Sequence, residues 1–237
     1  MPRYDYILFD ADNTLFDFDR AEREALCRVL SRRGYPVGEE TLALYLSINR
    51  GLWARFDRGE IAQRELVVKR FADFTRAMGR SDDPAEFNRE YLMCLGEGAY
   101  LLPGAQELCH TLAGVCTLAL VTNGVALAQR GRFGRSPLKA DIRWLFISEE
   151  VGASKPDPAF FQAVFQTMGL EKLERALMVG DNLLTDVKGG LAAGIDAAWY
   201  NPQGLPRSGD VRPTYEIRSY EELKELVLGP EDVQAPL

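Results

Sequence analysis

The chain has 237 residues, 46% hydrophobic and 27% charged, which is the balance of an ordinary globular protein long enough to build a core without disulfides or structural metal. Its formal net charge of −7 argues against nucleic acid or an anionic membrane as partner, because both reward clustered positive charge. A small anionic substrate stays open, since one metal ion reverses the local sign.

The first apolar run, Tyr6–Phe9, has strand length. Helical patterns follow at Asp19–Arg33, with Leu26, Val29 and Leu30 on one face, and at Glu39–Phe56, with Leu42, Tyr45, Leu46, Trp53 and Phe56. Two more lie near Gln63–Met78 and Pro84–Leu95. Helices and buried strands then alternate: helix Gly104–Ala113, strand Cys116–Val121, helix Val125–Arg132, strand Leu145–Ser148, helix Pro158–Met168, strand Leu177–Val179, helix Asp186–Ala193 and strand Ala197–Tyr200. A last run, Thr214–Ile217, precedes Ser219 and Glu222, a capping box that opens a closing helix to about Leu228. Residues 229–237 read as a frayed tail. Near-continuous apolar strands alternating with helices imply an α/β fold with a Rossmann-like parallel sheet covered on both faces. Asp10 and Thr122 are 112 positions apart, far more than one crossover helix needs, and the chain between them is helical in pattern. An inserted all-helical domain is therefore expected at 17–97, with the core formed by 1–16 and 98–237.

Four cysteines, Cys27, Cys94, Cys109 and Cys116, form no C-x-x-C pair, and the single histidine is His110. Neither a zinc nor a disulfide framework fits, so reduced, mostly buried thiols are expected. His110 is expected to be packed or half-exposed on a helix rather than a catalytic base. The stretch Leu108–Gln129 has no charged residue, but Thr111, Gly114, Thr117 and the turn signal Asn123-Gly124 make it a buried strand ending in a turn, not a membrane span. With no signal-like start, a cytoplasmic protein is expected.

Polar residues of interest fall where strands end, as expected when ligands bind beyond the carboxyl edge of an open sheet. Asp10-Ala11-Asp12-Asn13-Thr14 ends the first strand and Thr122-Asn123-Gly124 the second. Ser154-Lys155-Pro156 precedes a helix, and Gly180-Asp181-Asn182-Leu183-Leu184-Thr185-Asp186 follows the fourth strand. Each has a bland reading as turn former, cap or solvated loop charge. Together they place acid, acid, hydroxyl, amine, acid and acid along one sheet edge.

In this pattern the sequence resembles the haloacid dehalogenase-like phosphohydrolase superfamily, over nearly the whole chain and including the helical cap. Asp10–Phe16, Asn49-Arg50-Gly51-Leu52-Trp53 and Ile147–Gly152 are similar to the pyrimidine 5′-nucleotidase branch. The resemblance implies that Asp10 attacks phosphorus to form an aspartyl-phosphate, and that Asp12 protonates the leaving oxygen and later takes a proton from water. It implies an Mg²⁺ site on Asp10, Asp12 (through its carbonyl), Asp181 and Asp186. Thr122, the backbone around Asn123 and Gly124, and Lys155 would bind the phosphoryl group. Two carboxylates about 5 Å apart repel by about 3 kcal/mol at an effective dielectric of about 20, so such a site needs a cation. Asn13 departs from a common glycine, yet tolerates left-handed backbone.

A helical cap excludes water and selects the leaving group. By resemblance Asn49, Arg50 and Trp53 lie on the cap segment facing the core, where an indole stacks on a base. Trp53 reads equally as cap core, and Phe16 and Phe18 are ambiguous in the same way. Arg130, Arg132, Arg135 and Lys139 read as solvated surface. The expectation is an Mg²⁺-dependent phosphatase for small phosphate esters, foremost pyrimidine nucleoside 5′-monophosphates. A phosphosugar or phosphoglycolate phosphatase or a phosphomutase is the nearest alternative. A phospho-acceptor or ligand-binding module without turnover is the alternative of another class. Monomer and homodimer are equally compatible with the sequence.

Overall fold

Strands that are apolar on both faces need cover on both sides, and the computed structural model of the protein, which describes residues 2–207 and 209–229, has that arrangement. The strands are β1 (Tyr6–Phe9), β2 (Thr117–Thr122), β3 (Trp144–Ile147), β4 (Ala176–Gly180), β5 (Asp196–Tyr200) and β6 (Tyr215–Ile217). They form one parallel sheet in the order β3-β2-β1-β4-β5-β6. The chain fills one side of β1 first and then crosses to the other. The crevice of an open α/β sheet therefore opens at the carboxyl ends of β2, β1 and β4. Phe9 lies opposite Leu120 and Val179, which brings Asp10 level with Val121 and Gly180.

Side chains alternate across each strand. Ile7, Phe9, Leu118, Leu120, Leu177 and Val179 share a core with Leu108 and Leu112 of α5 (Ala105–Ala113) and Leu223 and Val227 of α10 (Tyr220–Leu228). Leu8, Ala119, Val121 and Met178 point the other way, against Phe160, Phe161 and Val164 of α8 (Pro158–Met168). Asp157 caps α8 and Ser219 caps α10 through bonds to backbone N–H groups.

Between β1 and β2 run α1 (Phe18–Arg32), α2 (Glu39–Asp57), α3 (Gln63–Ala77) and α4 (Pro84–Leu95). They enclose a core of their own, with Leu26, Leu30, Tyr45, Phe71, Phe74, Phe87 and Tyr91. Phe71 and Phe87 stack at 4.4 Å between ring centroids. Asp17 caps α1, and Asp83 followed by Pro84 starts α4. The helix after β2, α6 (Ala126–Arg135), joins this core through Ala128. It approaches the end of α4 at Gly96 and Gly131, where a Cβ on Gly131 would lie 2.7 Å from the Gly96 carbonyl oxygen.

Two elements differ from the sequence reading. Strand β3 stops at Ile147, because Ser148 opens a short helix, α7 (Ser148–Val151). The helix expected over Asp186–Ala193 becomes α-helical only in α9 (Lys188–Ala192), after a π-helical turn over Leu183–Val187. The Asn182 side chain accepts from the backbone N–H of Leu184 and Thr185 and sets up that wider turn. All four thiols are free, and His110 is exposed on α5 with Nδ1 3.1 Å from Asp141. No helix of the described residues is long and apolar enough to cross a membrane. Of the expected tail, residues 230–237 lie outside the described residues.

Candidate active site

Lys155 is the centre of the site. Its Nζ lies 2.6 Å from Asp10 Oδ1, 2.7 Å from Asp186 Oδ1 and 2.8 Å from the Val121 carbonyl oxygen. The loop that carries it is held by Asn123, whose side chain accepts from the Lys155 N–H at 2.9 Å and donates to its carbonyl at 2.8 Å. The Asn123 side chain is thus spent on placing the amine rather than on a ligand. Thr122 Oγ1 accepts the Gly124 N–H at 2.9 Å, which leaves the hydroxyl hydrogen of Thr122 for an oxygen in the crevice. Gly124 supplies room: a Cβ there would meet Gln129 Nε2 at 2.1 Å.

Carboxylate oxygens of Asp10, Asp181 and Asp186 come within 4.8 Å of one another. Gly180 permits this, since a Cβ at that position would lie 2.3 Å from Asp186 Oδ2. The same oxygen accepts the Asn182 N–H at 3.1 Å, so the π-helical turn and the carboxylate fix each other. Burial pushes the Asp10 carboxyl up to about 7; Lys155 opposes the rise, and Asp186 and Asp12 add to it. Asp181 is raised well above the usual carboxylate range by burial and by the charges of Asp10 and Asp186. Burial alone would lower Lys155, but Asp10 and Asp186 outweigh it and hold the ammonium protonated. Ionised together, the three carboxylates would leave two negative charges beyond the one ammonium, on hard oxygen donors. That donor set fits a divalent cation of the magnesium kind.

Asp12 is handled differently. Asn13 takes φ 57° and donates its N–H to Phe16 O at 2.8 Å, so the first motif turns sharply and aims Asp12 away from the three carboxylates. Gln129 Nε2 donates to Asp12 Oδ2 at 2.7 Å, and Arg132 pairs with Oδ1. The placing of Arg132 with solvated surface charges is therefore corrected. Its side chain is fully enclosed, with Cζ 4.8 Å from the Phe16 ring centroid and 5.7 Å from that of Phe18. Arg130, Arg135 and Lys139 are exposed as expected, and Arg130 pairs with Glu150, while Glu149 Oε2 accepts the Ala126 N–H at 2.8 Å. The Ile147–Gly152 motif thus anchors the start of α6, the helix that presents Gln129 and Arg132. Their i, i+3 spacing was the available signal that both share a face.

A cavity of about 260 Å³ opens above these groups, lined at the sheet end by Asp10, Lys155 and Asp186 and at the helical end by Phe18, Trp53, Arg70, Leu92 and Leu95. Trp53 is on this wall. Asn49 and Arg50 are not, which corrects their expected placement beside it. Asn49 is buried, donating to Glu22 Oε1 at 2.7 Å and accepting from Arg70 at 3.2 Å, and Arg50 is exposed. The i, i+1 and i+4 spacing allows two of the three to share a face: Arg50 turns about 100° away from Asn49, and Asn49, on the face of Trp53 by spacing, is kept from the cavity by Glu22 and Arg70. Phe16 is core and Phe18 is wall. Sequence reasoning passed over Asp57 and Gln63, whose side chains reach the strand ends: Asn182 donates to Asp57 at 2.9 Å, and Gln63 donates to the Asn123 carbonyl at 2.7 Å.

The family model for haloacid dehalogenase-like hydrolases matches residues 4–194, and the chain belongs to that family. The crystal structure of the HAD-hydrolase YfnB of Bacillus subtilis, bound to magnesium, superposes with a TM-score of 0.90 at 37% identity, covering 94% of this chain and 98% of the other. The pyrimidine 5′-nucleotidase PynA of Streptococcus pneumoniae is 35% identical over 93% of each chain. The pyrimidine 5′-nucleotidase YjjG of Escherichia coli is 31% identical over 95% of this chain and 98% of its own.

Proposed function

We propose that this hydrolase is a magnesium-dependent phosphatase that cleaves pyrimidine nucleoside 5′-monophosphates through a phosphate ester on Asp10, with 1–16 and 98–237 as catalytic core and 17–97 as a cap over it. The observation that carries the reading is the meeting of Asp10, Asp181 and Asp186 around Lys155 at the foot of one cavity. The two pyrimidine 5′-nucleotidases among the relatives support the substrate class.

Asp10 attacks phosphorus and the nucleoside oxygen leaves. Lys155, fixed by Asn123, steadies the attacking carboxylate and the transferring oxygens, and the free hydrogen of Thr122 binds one of them. Asp12, entering the step protonated, gives its proton to the leaving oxygen and becomes the carboxylate that Gln129 and Arg132 hold, then takes a proton from the water that releases phosphate from Asp10. Asp10, Asp181 and Asp186 would hold magnesium, which would supply charge neutralisation and orientation of the phosphoryl group. Trp53, Phe18 and the leucines of α4 exclude water from the site.

Phosphate release from UMP, dUMP and dTMP, with ribose 5-phosphate and 2-phosphoglycolate alongside, tests the reading. Turnover of the nucleotides that EDTA and Asp10→Asn both abolish is the expected result. Preference for the sugar or glycolate ester refutes the substrate class. Stoichiometric phosphorylation without release refutes the phosphatase.

A further inference from the structure

Arg70 lies in the helical core yet lines the same cavity as Asp10 and Lys155. A buried guanidinium is costly to desolvate, and that cost is offset only where its donors find acceptors. Two of its donors are committed, one to Asn49 Oδ1 at 3.2 Å and one to Asn88 Oδ1 at 2.6 Å. Asn49 is held in turn by Glu22, and the guanidinium carbon sits 4.7 Å from the Tyr91 ring centroid. The plane of the group is therefore fixed from three sides. Its Nε is buried without a protein partner among the described residues. The other cation lining the cavity, Lys155, is already spent on Asp10, Asp186 and a carbonyl.

We propose that Arg70 reads the leaving group, donating from its guanidinium to the 2-carbonyl oxygen of a pyrimidine base whose phosphate sits at Asp10. This deepens the proposed function and rests on it. The cavity lining combines the anion-binding groups at Asp10 and Lys155, the flat or apolar side chains of Phe18, Trp53, Leu92 and Leu95, and the guanidinium of Arg70, which together suit a ligand with an anion, a flat uncharged body and an acceptor. Uracil, thymine and cytosine share one feature of that kind, the carbonyl between the two ring nitrogens. Adenine has no carbonyl, so AMP leaves a fixed buried donor unmet, which is the strong form of discrimination. A phosphosugar would set its hydroxyls against apolar walls without partners.

The test pairs variants with altered substrates. In Arg70→Met, kcat/KM for UMP is expected to fall at least about 100-fold while p-nitrophenyl phosphate changes less than about threefold; Arg70→Lys, a charge without the planar fork, is intermediate. In the unmodified enzyme 2-thio-UMP, with a weak acceptor at that position, is cleaved about tenfold less efficiently than UMP, whereas 4-thio-UMP matches it. This second arm holds even if the variants fail to fold. Equal cleavage of UMP and 2-thio-UMP overturns the inference and leaves the nucleotidase reading standing. So does an Arg70-dependent loss confined to 2-phosphoglycolate, which assigns the guanidinium to a carboxylate. Refusal of UMP alongside good turnover of p-nitrophenyl phosphate overturns the nucleotidase reading and the inference with it.

Discussion

Arg132 donates to Asp12 from a position without solvent exposure, and Gln129 takes the other oxygen of the same carboxylate at 2.7 Å. Both donors stand on α6, whose start is held by Glu149. A group that is to give and take a proton must be within reach of the leaving oxygen, and α6 sets where Asp12 begins. Arg132→Met is expected to lower kcat for UMP at least about 100-fold, the scale of acid–base assistance. p-Nitrophenyl phosphate, whose leaving group departs without a proton, should lose less than about tenfold. Steady-state kinetics on both substrates decides, and equal losses would mean that Arg132 serves packing around Phe16 alone.

Lys155 offsets the carboxylates around it, so its removal separates two effects. Lys155→Met leaves Asp10, Asp181 and Asp186 without their ammonium, which strengthens attraction for a cation while removing a donor to the transferring group. Turnover is expected to drop about 1000-fold, and the rise in melting temperature on adding magnesium is expected to exceed that of the unmodified protein. Thermal melts with and without magnesium check it. A smaller rise contradicts the account of the site's charge.

Much of this arrangement was legible in the chain because it is written locally. Five apolar runs bounded by turns, with the Thr214–Ile217 unit after them, become the six strands, and Thr122 ends a strand while Asp10, Asp181 and Asp186 come just after strand ends, where turn chemistry marks them. What stayed hidden depends on partners distant in sequence. A charge on a helix ordinarily faces water, and nothing near Arg132 announces that Phe16 and Phe18 will close over it. Asn49 has the composition of a binding residue, but Glu22 and Arg70 reach it first. The π-helical turn needs the Asn182 cap and the bare Cα of Gly180 together, and periodicity reports neither.

Gly180 is where a single methyl group should separate metal binding from the rest of the fold. The Cβ of Gly180→Ala would meet Asp186 Oδ2, Cγ and Cβ at 2.3, 2.4 and 2.5 Å. The carboxylate must swing away, taking the Asn182 N–H bond with it. A loss of about 1–3 kcal/mol in unfolding free energy is expected, the usual cost of overpacking. The magnesium-dependent rise in melting temperature should shrink or vanish. Urea denaturation and melts with and without magnesium read the two effects, and an undiminished metal response would remove Asp186 from the proposed ligand set.

Glu22, in the helical core, gives stability a pH dependence that belongs to neither metal nor substrate. Burial pushes its carboxyl from an ordinary 4.5 up to about 7, against the opposing pull of Arg70 and the Asn49 hydrogen bond, with Asp19 adding to the rise and Arg50 reducing it. Below about 4.5 the folded and unfolded chains both keep the proton. Between about 4.5 and about 7 the folded chain alone keeps it, so each step up in pH favours unfolding, and above that window the loss is complete. The span corresponds to about 3 kcal/mol as an order of magnitude. Glu22→Gln keeps an oxygen for Asn49 and has no proton to lose. Urea unfolding of both proteins at about pH 5 and about pH 8 should show the variant gaining on the unmodified protein at the higher pH. The comparison within each pH cancels the acidic cluster at the sheet edge, which both proteins share. A difference that does not change with pH would place the Glu22 carboxyl in its ordinary range and leave Arg70 with a full counter-charge in the helical core.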